Sequence, residues 1–269
     1  MPWTKLKNII LLILVLTNLF LLALVVSQSL QNRRQTSQTR EHTVLFLSER
    51  GVEVSEESIP QSIDLLPQTA ERDQEKEQQI AAVLLKGEVE KEARGGEIYR
   101  YSNSQGWVQF HSDGSFSAYL EPGIYPAQDK KAACTAILET VGFEGTLLEE
   151  TGEELIFQET WNEVPLFGQR VSIVCADGSV STISGQRLVG EPKVDQTRKT
   201  ITVSTALVRF LNGVSTLGDV CNRIDRVEEG YVCTATLTGS MILTPAWQVT
   251  TDTGAYQLDT VTGTVWRAE

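Results

Sequence analysis

The sequence predicts an α+β protein: a single N-terminal transmembrane helix, then two small modules that each lay one helix across an antiparallel sheet. Three observations predict this class. Residues 9–26 form an uncharged, largely apolar run, short alternating stretches separated by Gly-containing turns begin at residue 97, and two amphipathic helix patterns occur among them. The predicted units are residues 1–26 (tail and anchor), 27–94 (polar stalk and connection), 95–190 (first module) and 196–269 (second module).

The apolar run IILLILVLTNLFLLALVV is interrupted by Thr17 and Asn18 and carries no charge. As a helix it would rise roughly 27 Å, close to a hydrocarbon thickness of about 30 Å. Trp3, Lys5 and Lys7 precede it as a membrane-interface anchor. A cleaved signal peptide is the alternative, although its apolar core usually spans about 7–15 residues and ends at a small-residue site that this run lacks. The short N-terminal flank favours a cytoplasmic N-terminus and an extracytoplasmic bulk.

Asn18 is costly in hydrocarbon unless its amide group finds a hydrogen-bond partner. A hydrogen bond between two membrane helices stabilises their pairing by about 0.6 to 2 kcal/mol. Asn18 is therefore predicted to meet a second helix, with a local hydrogen bond as the alternative.

The stretch between the anchor and the modules is polar. Residues 27–42 are rich in Gln, Ser, Thr and Arg, which suggests a stalk, and a short helix is expected to end at Gly51. Pro, Ser and charged residues then suggest an extended connection with little core of its own. Residues 80–87 predict a second short helix that ends at Gly87.

The two modules follow in a matching order of elements. Residues 97–120 predict a β-meander with a hairpin at Asp113-Gly114, and residues 129–141 predict a helix. Three strand-like stretches complete the first module. A helix over residues 202–214, capped by Thr202 or Ser204, opens the second module. Its strands are RIDRV, YVCTATL, MILTPAWQVTT, AYQLDTV and TVWR, with turns at Glu229-Gly230, Thr253-Gly254 and Thr262-Gly263.

Four cysteines occur, two in each module. Cys134 and Cys175 belong to the first, and Cys221 and Cys233 to the second. One disulfide inside each module is the simplest pairing for an extracytoplasmic protein, and such bridges typically stabilise by about 2 to 4 kcal/mol. The alternative is four buried thiols that pack as small apolar residues.

Composition and motifs argue against several classes of function. The chain has 35 acidic and 23 basic residues, a net charge of -12, which disfavours nucleic acid as a partner. His111 and Asp113 flank a turn and have no third metal ligand at suitable spacing. Glu149-Glu150 and Glu153-Glu154 lie in a polar loop, where solvated glutamates are expected. No nucleophile elbow, zinc-hydrolase or phosphate-loop motif occurs. The sequence predicts a binding or regulatory protein without a cofactor, and a wall-active hydrolase is the remaining enzymatic alternative.

Two parts of the sequence resemble the YycI family. The pattern Trp3-x-Lys5-x-x-Asn8 precedes the apolar run, and Asn18-Leu19-Phe20-Leu21-Leu22 lies inside it. The closing segment PAWQVTTDTGAYQLDTVTGTVW is similar to the last segment of that family, and the resemblance spans most of the chain in order. The four cysteines and the long polar connection around residues 60–80 depart from the family pattern.

The resemblance implies a bitopic regulator that acts on a sensor histidine kinase of the WalK (YycG) type, in a cell-wall two-component system, alongside YycH-like proteins. It implies an N-terminus in the cytoplasm, a bulk outside the membrane, and contact with the kinase through Asn18 and Phe20. The two modules also resemble PepSY-type domains, which implies an extracytoplasmic binding or peptidase-inhibitory module as the alternative function.

Overall fold

The structure is a computed structural model that describes residues 44–268, together with Leu14, Thr17, Asn18, Phe20 and Leu22. Within residues 44–268, fifteen strands form one continuous mixed sheet accompanied by short helices. The prediction of two separate helix-on-sheet modules, YycI-like or PepSY-like, is therefore wrong. None of the helices in this described part is long and apolar enough to cross a membrane. Most of the predicted anchor, including Trp3, Lys5 and Lys7, lies outside the described residues.

The elements are numbered in chain order. The helices are α1 (Gln74–Leu84), α2 (Lys130–Thr140) and α3 (Val203–Thr216), preceded by helical residues 44–49 and a 3-10 turn at Glu56–Ser58. The strands are β1 (Glu53–Val54), β2 (Gln68–Ala70), β3 (Glu90–Ala93), β4 (Tyr99–Asn103), β5 (Gly106–Phe110), β6 (Ser115–Leu120), β7 (Gly145–Thr151), β8 (Glu154–Trp161), β9 (Val164–Ala176), β10 (Ser179–Gln186), β11 (Pro192–Val194), β12 (Arg223–Ala235), β13 (Met241–Thr251), β14 (Gly254–Asp259) and β15 (Val265–Arg267).

The sheet runs β11-β2-β13-β12-β9-β10-β6-β5-β4-β3, with β1 on β12, the pair β14–β15 on β13, and the pair β7–β8 on β9. Strand β9 joins its two halves. Its first residues pair in parallel with β12, with Leu166 opposite Tyr231, and its later residues pair antiparallel with β10. Strand β8 pairs antiparallel with both parts of β9. Thirteen residues of strand span about 40 Å. That length lets β9 belong to both halves, which is why two separate modules do not form.

Gly230 permits the pairing of β9 with β12. The sequence predicts a turn at Glu229-Gly230, but both residues lie in the middle of the continuous strand β12. A Cβ atom at Gly230 would lie 2.5 Å from the ring of Phe167 and 2.6 Å from the carbonyl oxygen of Pro165. Glycine therefore serves here to let β9 approach β12 closely, and the chain reverses at residues 236–240 instead.

Three clusters of buried side chains fill the fold. The first core lies between α1, α2 and strands β4–β10, the second lies between α3 and strands β12–β15, and a smaller junction core lies where the halves meet. The predicted helices over 129–141 and 202–214 are confirmed as α2 and α3. Asp129 and Thr202 cap them by accepting a hydrogen bond from the backbone N–H three residues later.

The stretch predicted to be a connection contributes to the sheet. Strand β2 lies between β11 and β13, and α1 begins at Gln74 instead of near residue 80. Ile80, Ala81 and Leu84 of α1 are buried in the first core. Polar composition hid this because β2 pairs through backbone groups, which every non-proline residue supplies.

Candidate functional site

The two residues predicted to contact the kinase lie on opposite sides of a helix. Leu14, Asn18, Phe20 and Leu22 are helical and exposed, and Phe20 is 64% accessible. Leu14, Asn18 and Leu22 are spaced four residues apart, so they share one face. Phe20 follows Asn18 by two residues and is turned about 200° away at 3.6 residues per turn. A single partner helix can meet the Asn18 face or Phe20 directly, but not both.

The structure brings together the first pair of cysteines. Cys134 of α2 and Cys175 of β9 are both buried, and their sulfur atoms lie 3.8 Å apart. Both are thiols in the structure. Burial, reinforced by the neighbouring Cys175, raises the pKa of the Cys134 thiol to about 12. The neutral thiol form therefore dominates at physiological pH.

The structure separates the second pair. Cys221 precedes β12 and Cys233 lies near its far end, so about 30 Å of extended strand lies between them. Disulfide formation requires Cα atoms within about 7 Å. The predicted Cys221–Cys233 bridge is incompatible with this strand. It would need the turn at Glu229-Gly230 that the structure replaces with straight β-strand.

The other polar residues considered from sequence have local roles. The side chain of Asp113 accepts hydrogen bonds from the backbone and hydroxyl of Ser115, and His111 contacts the amide of Gln109 at 3.0 Å. Four glutamates near the β7–β8 turn, Glu149, Glu150, Glu153 and Glu154, are exposed, and Glu154 accepts a hydrogen bond from Ser172. Across residues 44–268 and the few described helix positions before them, no three His, Cys, Asp or Glu side chains are grouped to hold a metal ion.

Sequence reasoning missed a group of buried charges beside the junction core. Arg72 follows β2, and Glu77 lies in the first turn of α1. The guanidinium of Arg72 donates to both carboxylate oxygens of Glu77, at 2.7 and 3.1 Å, and to the carbonyl oxygen of Glu97 at 2.6 Å. The two side chains are only 7% and 8% exposed. This bidentate geometry orients the start of α1 against the neighbouring turn.

Glu159 and Arg187 extend this group. Glu159 is 4% exposed and accepts a hydrogen bond from the backbone N–H of Leu188 at 2.8 Å. Burial raises the pKa of Glu159 to about 7, although Arg187 and the Leu188 hydrogen bond act in the opposite direction. Burial lowers the pKa of Arg187, which is 8% exposed, against the attraction of Glu159 and Glu77.

Backbone contacts hold three segments around these charges. The N–H of Arg187 donates to the carbonyl oxygen of Gly114 at 3.1 Å, and the N–H of Asp73 donates to Val189 at 3.0 Å. A side chain at Gly190 would collide with the carbonyl oxygen of Glu71. The start of α1, the β5–β6 turn and the segment after β10 therefore meet closely. We name this group the junction charge cluster and define it as Arg72, Glu77, Glu159 and Arg187.

One sequence signal could have revealed this cluster. Along β8, Leu155 and Phe157 point into the core, and Glu159 is the next residue of the same alternation. A carboxylate at an inward position of an alternating strand needs a buried partner. The identity of that partner, 28 residues later in the sequence, is decided only by the packing of the segments.

An open groove of about 790 Å³ lies between α3 and the segment that leads into β15. Its lining is rich in Ser, Thr, Asn and Gly, and Arg209 donates to the carbonyl oxygen of Thr262 at 3.0 Å. This open groove differs from the enclosed pockets that usually hold small molecules.

Comparison with known proteins identifies a distant structural similarity. No family model and no curated protein matches the chain. The fold is similar to the crystal structure of an uncharacterized protein from Eubacterium rectale ATCC 33656, with 11% sequence identity. The match covers 76% of this chain and 86% of that chain at a TM-score of 0.44. A similarity at this level carries no functional argument.

Proposed function

We propose that the protein is a non-enzymatic, single-pass membrane regulator that binds a sensor histidine kinase of a cell-wall two-component system. Its N-terminus is cytoplasmic, and the sheet lies outside the membrane. The observation that carries the proposal is Asn18, a carboxamide in the middle of an apolar run, with Leu14 and Leu22 one helical turn away on either side. This face can pair with another membrane helix through packing and a central hydrogen bond.

Such a contact regulates only if it favours one signalling state of the kinase, because a partner shifts an equilibrium through its differential affinity for the two states. A hydrogen bond from Asn18 made in one state alone would supply about 0.6 to 2 kcal/mol. That free energy changes the ratio of the two states by roughly 3- to 30-fold.

The segment that leads into the described sheet is packed against the second core. Leu47 and Val52 are buried in the second core, beside Phe210 of α3. The backbone N–H of Val52 also donates to the carbonyl oxygen of Leu47 at 3.0 Å. Residues 44–52 are thus packed against the second core, which would oppose a displacement of this segment.

The test compares two opposite faces of the anchor. Asn18→Leu should lower co-purification of the kinase by about 3- to 30-fold and leave membrane insertion intact. The matched control Phe20→Leu, on the other side of the helix, should leave co-purification unchanged. Photocrosslinking groups placed singly at positions 14, 18 and 20 in native membranes should capture the kinase from the first two positions only. Unchanged association in Asn18→Leu would remove Asn18 from the mechanism.

A further inference from the structure

The first half of the sheet is inserted into the second half. Residues 44–70 and 192–268 form the second half with α3, and residues 74–186 form the first half with α1, α2 and strands β3–β10. The chain therefore crosses between the halves twice, at residues 71–73 and at residues 187–191. The first core lies wholly inside the inserted half, so this half has a core of its own.

The two crossing segments lie side by side. They continue the antiparallel pairing of β2 with β11. The backbone N–H of Asp73 donates to the carbonyl oxygen of Val189 at 3.0 Å. Gly190 lies so close to the carbonyl oxygen of Glu71 that a Cβ atom would collide with it. Hinges are formed by a few residues at the ends of elements, which absorb a change in backbone angles. Two adjacent crossings share one axis, so neither opposes rotation about the other.

One short strand pairing and a small core join the halves away from these crossings. Strand β9 pairs with β12 at two positions, Leu166 with Tyr231 and Phe167 with Val232. Among the described residues, the junction core contains seven buried apolar side chains, whereas the first core contains 22 and the second core 12. Because buried apolar area supplies most of the free energy of packing, the junction is the least strongly packed of the three regions.

Buried polar groups weaken the junction further. Within the described residues, Nε1 of Trp161 and Oε1 of Gln169 are buried and have no hydrogen-bond partner. Trp161 packs against the junction core. Gln169 is 3% exposed and lies in β9 between its pairing with β12 and its pairing with β8 at Arg170. Glu159 and Arg187 add two buried ionisable side chains beside the same core. A buried polar atom without a partner costs free energy, and opening the junction to water would remove that cost.

We infer that the junction is a hinge: residues 74–186 rotate about the two crossing segments, and the sheet opens between β9 and β12 while the two larger cores stay intact. The rotation separates the paired residues of β9 and β12 and gives Trp161 and Gln169 access to water. Opening of this kind requires less free energy than global unfolding, because it exposes one small region. A partner that binds one position of the hinge better than the other would shift the equilibrium between them. The inference concerns the sheet alone and does not depend on the contact with the kinase.

Hydrogen exchange of the full-length protein in detergent, read residue by residue by mass spectrometry, tests the hinge. Residues 166–169 of β9 report the junction, because this strand meets β12 there. Residues 116–120 of β6 and 247–251 of β13 report the sheets of the two halves. Exchange at residues 166–169 should be at least about tenfold faster than in these two strands, because the junction opens without global unfolding.

A matched pair of substitutions connects this exchange to the hinge. Gln169→Met keeps the length of the side chain and removes the unpartnered oxygen, so it favours the closed junction. It should slow exchange at residues 166–169 by about 5- to 150-fold and leave exchange in β6 and β13 unchanged. The control Gln257→Met makes the same change in β14, where the side-chain oxygen accepts from Trp266 at 2.9 Å, and should not slow exchange at the junction.

Three results would each overturn the inference. The first is exchange at residues 166–169 of the wild type that is as slow as in β6 and β13. The second is exchange there that Gln169→Met does not slow. The third is exchange that Gln169→Met slows equally in all three strands, because that result would indicate a change in global stability.

Discussion

Replacing Glu159 by glutamine should change how the stability of the protein depends on pH. Glutamine keeps the size of the side chain and retains an oxygen that can accept the hydrogen bond from Leu188. It cannot ionise. The variant therefore removes the titration of one buried carboxyl with little change in packing.

The expected magnitude follows from the pKa of Glu159, which burial raises from 4.5 to about 7. Each pKa unit corresponds to about 1.4 kcal/mol, so the full effect is roughly 3 kcal/mol. An acid with a raised pKa in the folded state binds more protons when folded than when unfolded between pH 4.5 and about 7. The stabilisation of the folded state by the protonated Glu159 carboxyl is therefore fully present below pH 4.5, and it is lost as pH rises towards 7.

Urea unfolding of the full-length protein in detergent, followed by tryptophan fluorescence from pH 4.5 to 8, measures this effect. Trp247 is 1% exposed and should report loss of the second core. The stability of the wild type relative to Glu159→Gln should fall by roughly 3 kcal/mol across this range. The attraction between Arg187 and ionised Glu159 is already part of the pKa of Glu159, so it adds no separate pH dependence to the comparison.

The matched control is Glu153→Gln, which removes a carboxylate from the exposed β7–β8 turn. This control should follow the wild-type curve closely, because an exposed glutamate has a similar environment in both states. Parallel curves for the wild type and Glu159→Gln would refute the assignment of a raised pKa to this buried carboxyl.

One substitution and one oxidation experiment probe the sheet junction and the close cysteine pair. Gly230→Ala should destabilise the protein by about 1 to 3 kcal/mol in the same urea assay, because its Cβ would overlap Phe167. The control is Gly87→Ala, where an added Cβ meets only ordinary contact distances. Equal losses of stability in the two variants would contradict the close approach of β9 and β12 at Gly230. Mild oxidation should join Cys134 to Cys175, detected as the loss of two hydrogen masses, and closing this 41-residue separation should stabilise by about 4 kcal/mol. An unchanged mass, or the same change after Cys134→Ser, would contradict that pairing.

The elements that could be predicted have signals in contiguous residues. The helices α2 and α3 follow a 3.6-residue apolar period and begin at residues that can cap them. The β5–β6 hairpin follows from Asp113-Gly114 between alternating stretches. Such signals depend on residues within one or two turns of each other, which is why sequence patterns report them.

The candidate site was less accessible to sequence reasoning. Glu159 lies on an apolar strand face, which marks it as unusual, but its neighbours Arg187 and Leu188 come from another segment. The pairing of Cys134 with Cys175 could be proposed by counting cysteines. The separation of Cys221 from Cys233 could not be predicted, because a glycine at position 230 is compatible both with a turn and with the close approach of a neighbouring strand.

The sequence by itself determined the apolar run with its central Asn18, the acidic charge of the chain, and most of the local helices and hairpins. Only the tertiary structure decided that the two halves share one sheet through β9 and β12, and that four charged side chains are buried beside the junction. The physical reason is that strand pairing uses backbone N–H and C=O groups common to all non-proline residues. Burial of a charge is likewise decided by segments that are distant in sequence and meet only when the chain is folded.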